Sequence, residues 1–127
     1  MRPEPVPPER VQMRLMQSAD LAAVLAIEQA AYAFPWTAGI LRDCLRVGYS
    51  CWVLQVDGRI RGYVILSVGA GEAHLLNLCV HPEHRRRGYG ERLLRHALEV
   101  AARQGADTLY LEVRVSNTAA QALYRKH

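Results

Sequence analysis

The stretch from residue 73 to residue 104 limits the fold more than any other part of the chain. Residues 73–80 are apolar apart from His74 and Asn77, which is the pattern of a strand buried on both faces. His81-Pro82-Glu83-His84 closes that strand as a loop, and Arg85-Arg86-Arg87-Gly88-Tyr89-Gly90 follows directly. From residue 88 to 104 the apolar residues Leu93, Leu94, Ala97, Leu98 and Ala101 recur at helical spacing, and Gly105 supplies a stop. Residues 108–113 again read as a strand. A strand, a helix and a second strand joined in this way form a crossover unit with the two strands parallel. The chain is therefore expected to be an α/β protein.

The remaining elements fall on either side of that unit. Residues 11–16 alternate in polarity as a first strand. Residues 19–32 carry Leu21, Val24, Leu25, Ile27 and Glu28 at helical period, with Ser18 expected as the cap. Phe34-Pro35-Trp36 breaks this helix, and Thr37 caps a shorter one through Ile40, Leu41, Cys44 and Leu45 that ends near Gly48. Residues 51–56 and 59–68 read as a hairpin around Asp57-Gly58, and Gly69-Ala70-Gly71 turns into the strand at 73–80. Ser116-Asn117 opens a last helix from Thr118. The order is β-α-α-β-β-β-α-β-α, a mixed central sheet with helices on both faces. Residues 1–10 hold four of the six prolines and are expected to be a flexible arm, leaving residues 11–127 as one domain.

Charge and composition exclude several classes. The 127 residues carry a formal charge of +4 from 16 basic and 12 acidic side chains, and all the basic residues but Lys126 are Arg. Aromatics are 7% and do not interleave with the basic run, which weighs against nucleic-acid binding. No apolar run approaches the ~18–20 residues that a membrane span needs. Cys44, Cys51 and Cys79 lack a metal-ligand spacing, so reduced thiols in a cytoplasmic protein are expected, with no metal.

The run Arg85–Gly90 gains its meaning from its place between a buried strand and a helix N-terminus. The first helical turn leaves backbone N–H groups without intrahelical partners and carries the positive end of the helix dipole. Gly88 and Gly90 remove side chains that would hold a phosphate away, and Arg side chains at the rim suit further phosphate oxygens. No Lys-Ser/Thr pair follows the second glycine, and the run lacks the G-x-G-x-x-G of a dinucleotide loop.

Residues 80–90, Val-His-Pro-Glu-His-Arg-Arg-Arg-Gly-Tyr-Gly, resemble the acetyl-CoA signature of the Gcn5-related N-acetyltransferases, R/Q-x-x-G-x-G/A after a V-x-P turn. Ala33-Phe34-Pro35-Trp36-Thr37 and residues 109–124, Leu-Tyr-Leu-Glu-Val-Arg-Val-Ser-Asn-Thr-Ala-Ala-Gln-Ala-Leu-Tyr, are similar to its RimI branch, the N-terminal alanine acetyltransferases of ribosomal proteins. The resemblance covers residues 11–127 and implies the GNAT acyl-CoA N-acyltransferase fold. It further implies a bulged strand whose residues Leu78, Cys79 and Val80 pair with pantetheine. Backbone N–H groups of Arg86, Arg87, Gly88, Tyr89, Gly90 and Glu91 would then hold the pyrophosphate, with Arg85 at the rim and Asn117 bonding acetyl-CoA from the far side. Glu112 matches the family's general base and Tyr124 its general acid, in direct transfer to a protein α-amine, the N-terminal alanine of a small-subunit ribosomal protein. The region around Phe34 borders the peptide groove in this branch.

Other readings stand beside this one. A small-molecule amine is the in-family alternative acceptor, and a non-catalytic module holding CoA or another anion is the alternative class. The pair Glu112 and Tyr124 discriminates them, since an anion-binding module needs neither. His74 is a second candidate base, and the Cys79 thiol reads as a small apolar strand side chain, since direct transfer needs no covalent thiol intermediate. The family's sheet continues with two further strands, which this chain, ending at Lys126-His127, is expected to lack. The sheet edge so uncovered would favour dimers.

Overall fold

A computed structural model describes residues 10–111 of the chain. Its first strand, β1 (Val11–Leu15), is followed by a 3₁₀ turn at Ser18–Asp20 and then by helix α1 (Leu21–Ala31) and helix α2 (Ala38–Arg46). Three long strands come next, β2 (Ser50–Val56), β3 (Arg59–Gly69) and β4 (Glu72–Val80). Helix α3 (Tyr89–Arg103) and strand β5 (Thr108–Leu111) complete the described part. The strands form one sheet in the order β1-β2-β3-β4-β5. The first three pairings are antiparallel and β4 runs parallel to β5, as the crossover requires. The expected arm at residues 1–10 lies outside the described residues except for Arg10, as do the end of the last strand and the helix expected from Thr118.

Strand alternation divides the apolar residues between two cores, one on each face of the sheet. Leu54, Val64, Leu66, Leu75 and Leu78 pack with Leu93, Leu94, Ala97 and Val100 of α3. Val53, Tyr63, Ile65 and Cys79, their neighbours in sequence, face the other way and pack with Val24 and Ile27 of α1 and Leu41 of α2. Helices therefore cover both faces, as the sequence pattern implies.

The expected turns are present. Asp57 and Gly58 both take positive φ, 51° and 82°, the geometry of a tight hairpin that matches strand twist. Thr37 Oγ1 accepts the Ile40 N–H at 3.2 Å and caps α2. Ser18, expected to cap the first helix, does not. Asp20 takes the structural role instead, accepting the Gln17 N–H at 2.8 Å and binding Arg14 through both oxygens at 2.7 and 2.8 Å. This fork-to-fork pair holds the Asp20 carboxyl below the usual carboxylate range and delays the α-helix to Leu21. The expected loop at 81–84 contains a 3₁₀ turn, Pro82–His84, because Pro82 presets φ and His81 Nδ1 accepts the Glu83 N–H.

One close approach fixes how α3 sits on the sheet. Gly62 pairs with Val80, and a Cβ at this position would lie 2.9 Å from the Cys79 carbonyl oxygen and 2.9 Å from Leu93 Cδ1. Gly62→Ala must push α3 outward or shift β4. It is expected to cost about 1–3 kcal/mol, read as a lower urea midpoint with an unchanged slope.

Candidate functional site

Strand β4 is irregular at the point where its chemistry would begin. Ile65 pairs with Asn77 but Leu66 pairs with Leu75, so Leu76 is an extra residue on the β4 side. As a result Leu76 and Asn77 both lie toward α1 and α2, while Leu75 and Leu78 pack on the α3 side. Beyond the bulge, Leu78 is buried against α3, Cys79 is buried on the opposite face, and Val80 is half-buried. On the β5 side, the last described pair is Leu75 with Leu111, and β4 continues through residues 76–80 before its loop.

Asn77 belongs to a buried polar network centred on Glu28 of α1, which is 0% exposed. Glu28 Oε1 accepts from the Tyr63 hydroxyl at 2.5 Å and from Asn77 Nδ2 at 2.8 Å. Its Oε2 accepts the backbone N–H of Trp36 at 2.7 Å. The Tyr32 hydroxyl, at the end of α1, lies 3.3 Å from both Asn77 Oδ1 and the Leu78 carbonyl oxygen. Burial, with Cys79 and Glu28 adding to it, pushes the Tyr63 phenol well above its ordinary value, so it stays a donor. A carboxylate buried this completely is tolerated because donors meet both of its oxygens. The network anchors three elements to one side chain: the middle of β3, the bulge of β4 and the segment between α1 and α2. That segment carries Phe34, which is 86% exposed.

The loop after β4 is basic and has left-handed backbone. Arg85, Arg86 and Arg87 are exposed, and Arg86 has φ 67° while Gly88 has φ 79°. Left-handed residues placed in this way aim successive N–H groups toward one side. Gly88 is the residue before the first turn of α3, where a side chain would be strained. Gly90 and Glu91 lie in that turn, and Glu91 pairs with Arg95 at 2.9 Å. Tyr89 is buried in the α3-side core, so it offers the loop its backbone and not its ring. His84 stands beside this basic run. Burial first, then Arg61 and Arg87, pull its pKa below the ordinary histidine value. His81, Glu83 and His84 bring their donor atoms within 4.8 Å of one another, with His81 Nδ1 engaged in the turn.

The described residues thus bring together the bulged strand and the Arg85–Glu91 loop. Glu112, Asn117 and Tyr124 lie outside the described residues. His74, the second candidate base, is on the part of β4 paired with β5; it stacks on Tyr110 at 5.0 Å and lies 3.6 Å from Glu72. Sequence reasoning missed the network altogether. The available signals were Glu28 on the apolar face of its helix and Asn77 inside an otherwise apolar strand, two polar residues placed where each needs a partner.

A bulged strand running into a basic, glycine-containing loop at a helix N-terminus, within this strand order, is the architecture of an acyl-CoA N-acyltransferase fold. The family model for the Acetyltransferase (GNAT) family matches residues 18–127, and the chain belongs to that family. It is 38% identical over 109 residues to the [Ribosomal protein bS18]-alanine N-acetyltransferase of Escherichia coli strain K12, covering 86% of this chain and 74% of that protein. The Salmonella typhimurium enzyme of the same name is 40% identical over 110 residues, covering 87% and 74%. The crystal structure of the Escherichia coli ribosomal-protein-S18-alanine N-acetyltransferase superposes with a TM-score of 0.84 at 36% identity, over 92% of this chain and 76% of that one. Ard1 from Thermoplasma volcanium gives 0.83 at 27% identity, over 91% and 80%.

Tyr63→Phe deletes one donor to the buried Glu28 carboxylate and leaves the ring in place. It is expected to lower stability by about 1.5–3 kcal/mol in chemical denaturation, the range for a hydrogen bond to a charged group.

Proposed function

We propose that this chain transfers the acetyl group of acetyl-CoA to the α-amine of a protein beginning with alanine, a small-subunit ribosomal protein of the bS18 kind. The observation that carries the reading is the continuity of the bulged strand β4 with the Arg85–Glu91 loop, which offers backbone to a pantetheine arm and N–H groups to a pyrophosphate in one line. The identity to bS18-alanine acetyltransferases supports the choice of acceptor. Such an acceptor puts the reaction in the cytoplasm, and no helix among the described residues is long and apolar enough to cross a membrane.

The roles follow from the chemistry. A thioester carbonyl laid beside residues 78–80 would have its oxygen met by backbone N–H groups of the strand, which favour the charge that develops there. The incoming amine is protonated near neutral pH and must lose a proton before it attacks. Glu112, next in the chain after β5, takes that proton. Tyr124 supplies one to the departing CoA sulfur, and Asn117 holds acetyl-CoA from the side opposite the loop. Nitrogen–carbon bond formation and carbon–sulfur cleavage then balance without a metal. Tyr32 ties the end of α1 to the Leu78 carbonyl, and exposed Phe34, two residues further on, is the contact for the peptide.

An acetyl-transfer assay with an alanine-starting peptide tests the reading. Glu112→Gln is expected to lower kcat at least ~100-fold, the scale of general-base catalysis, with acetyl-CoA affinity nearly kept. Equal loss of rate and cofactor affinity would assign Glu112 a structural role instead. The loop makes a separate prediction. Phosphates bound at Arg85–Glu91 offset the positive charge of Arg61 and Arg87, so the pKa of His84 should rise when CoA is added. The bound state then holds more protons, and affinity should strengthen as pH falls through the His84 titration. Histidine NMR titrations with and without CoA measure both signs.

A further inference from the structure

We propose that Glu28 is a positioning residue whose two carboxylate oxygens divide the work, Oε1 fixing the bulge that holds the acyl group and Oε2 fixing the loop that presents Phe34 to the acceptor. The inference rests on the peptide-acceptor reading given above. It starts from the geometry of one side chain. The Tyr63 hydroxyl and Asn77 Nδ2, which donate to Oε1, come from the sheet. The Trp36 backbone N–H, which donates to Oε2, comes from the segment between α1 and α2. One rigid, fully buried group therefore spans the two halves of the site.

The alternatives in the surrounding structure make this arrangement informative. A hydrophobic residue in α1 could fill the same volume, but it would leave Asn77, Tyr63 and the Trp36 N–H to find other partners inside a core. Asn77 is turned toward α1 only because Leu76 is inserted before it, so the bulge and the carboxylate are matched features. Tyr32 adds a second tie between the same helix end and the same strand, through Asn77 Oδ1 and the Leu78 carbonyl. Pro35 stiffens the segment just before Trp36, so a bond at Trp36 N fixes the direction of Phe34 as well. Displacement of the loop would leave acetyl-CoA bound and withdraw Phe34 from the peptide, so the loss falls on acceptor binding and not on the chemical step.

Glu28→Gln separates the two oxygens. The amide keeps a carbonyl for Tyr63 and Asn77 and sets its NH₂ against the Trp36 N–H, donor against donor. The expected result is a KM for an alanine-starting peptide raised at least ~10-fold, the loss of one charge-assisted bond, with kcat and acetyl-CoA Kd within about twofold of wild type. Tyr63→Phe, which touches only Oε1, should lose stability and keep the peptide KM. In ¹⁵N-labelled protein the Trp36 amide should be protected from hydrogen exchange in the wild type and exchange at least ~10-fold faster in Glu28→Gln. This second readout needs no activity. A wild-type Trp36 amide exchanging at the rate of an unstructured chain overturns the proposal even if the variant fails to fold. So does a peptide KM that is unchanged in folded Glu28→Gln, or an acetyl-CoA Kd that weakens in parallel with it. If Trp36 behaves as expected but the wild type acetylates no alanine-starting peptide, the clasp stands and the acceptor assignment falls.

Discussion

A carboxylate with no access to water organises the described part of this protein. Glu28 sits where the helical pattern of α1 calls for an apolar residue, and its burial is stable only because donors from three elements converge on it. That requirement works in reverse as well. The sheet must present Tyr63 and Asn77 on the α1 face, the bulge at Leu76 must turn Asn77 inward, and the segment after α1 must fold back to offer its backbone. Apolar packing on this face would allow many small adjustments of α1 over the sheet. Directional bonds at 2.5–2.8 Å select one of them.

The two faces of the sheet are consequently held by different physics. On the α3 side the fully buried residues are hydrophobic, and position is set by volume, with Gly62 permitting α3 to approach β3 at the level of the Cys79 carbonyl. This fixes the start of α3, and so the loop of left-handed Arg86 and Gly88, relative to the end of β4. On the α1 side the position of the Phe34 segment is set by hydrogen bonds. A strand that carries the bulge joins the two regimes. Membership of the GNAT family rests on the family match over residues 18–127, and this strand order, bulge and loop go with it.

Much of this was legible in the sequence, and for identifiable reasons. Strand alternation, the helical period of α3, the Asp57-Gly58 turn and the Thr37 cap are local signals, and the structure repeats them to within a few residues. The position of the Arg85–Gly90 loop was legible because its residues are contiguous and flanked by two strongly patterned elements. The Ser18 cap failed because the side-chain pair of Arg14 on β1 with Asp20 outweighed a backbone preference. The Glu28 network stayed hidden for a related reason. Its members at positions 28, 32, 36, 63 and 77 are scattered, and only the fold reveals that two isolated polar residues in apolar settings belong to each other.

The extra residue at Leu76 also restricts how homologous chains can vary in length. Loss of that residue would restore simple alternation in β4 and send Asn77 toward the apolar side of α3. The Gly69–Gly71 turn, at the far end of the same hairpin, is free of that parity. Insertions should therefore collect there and spare the stretch from the bulge to Val80, so that drift in length at one end of the sheet leaves the other end in register.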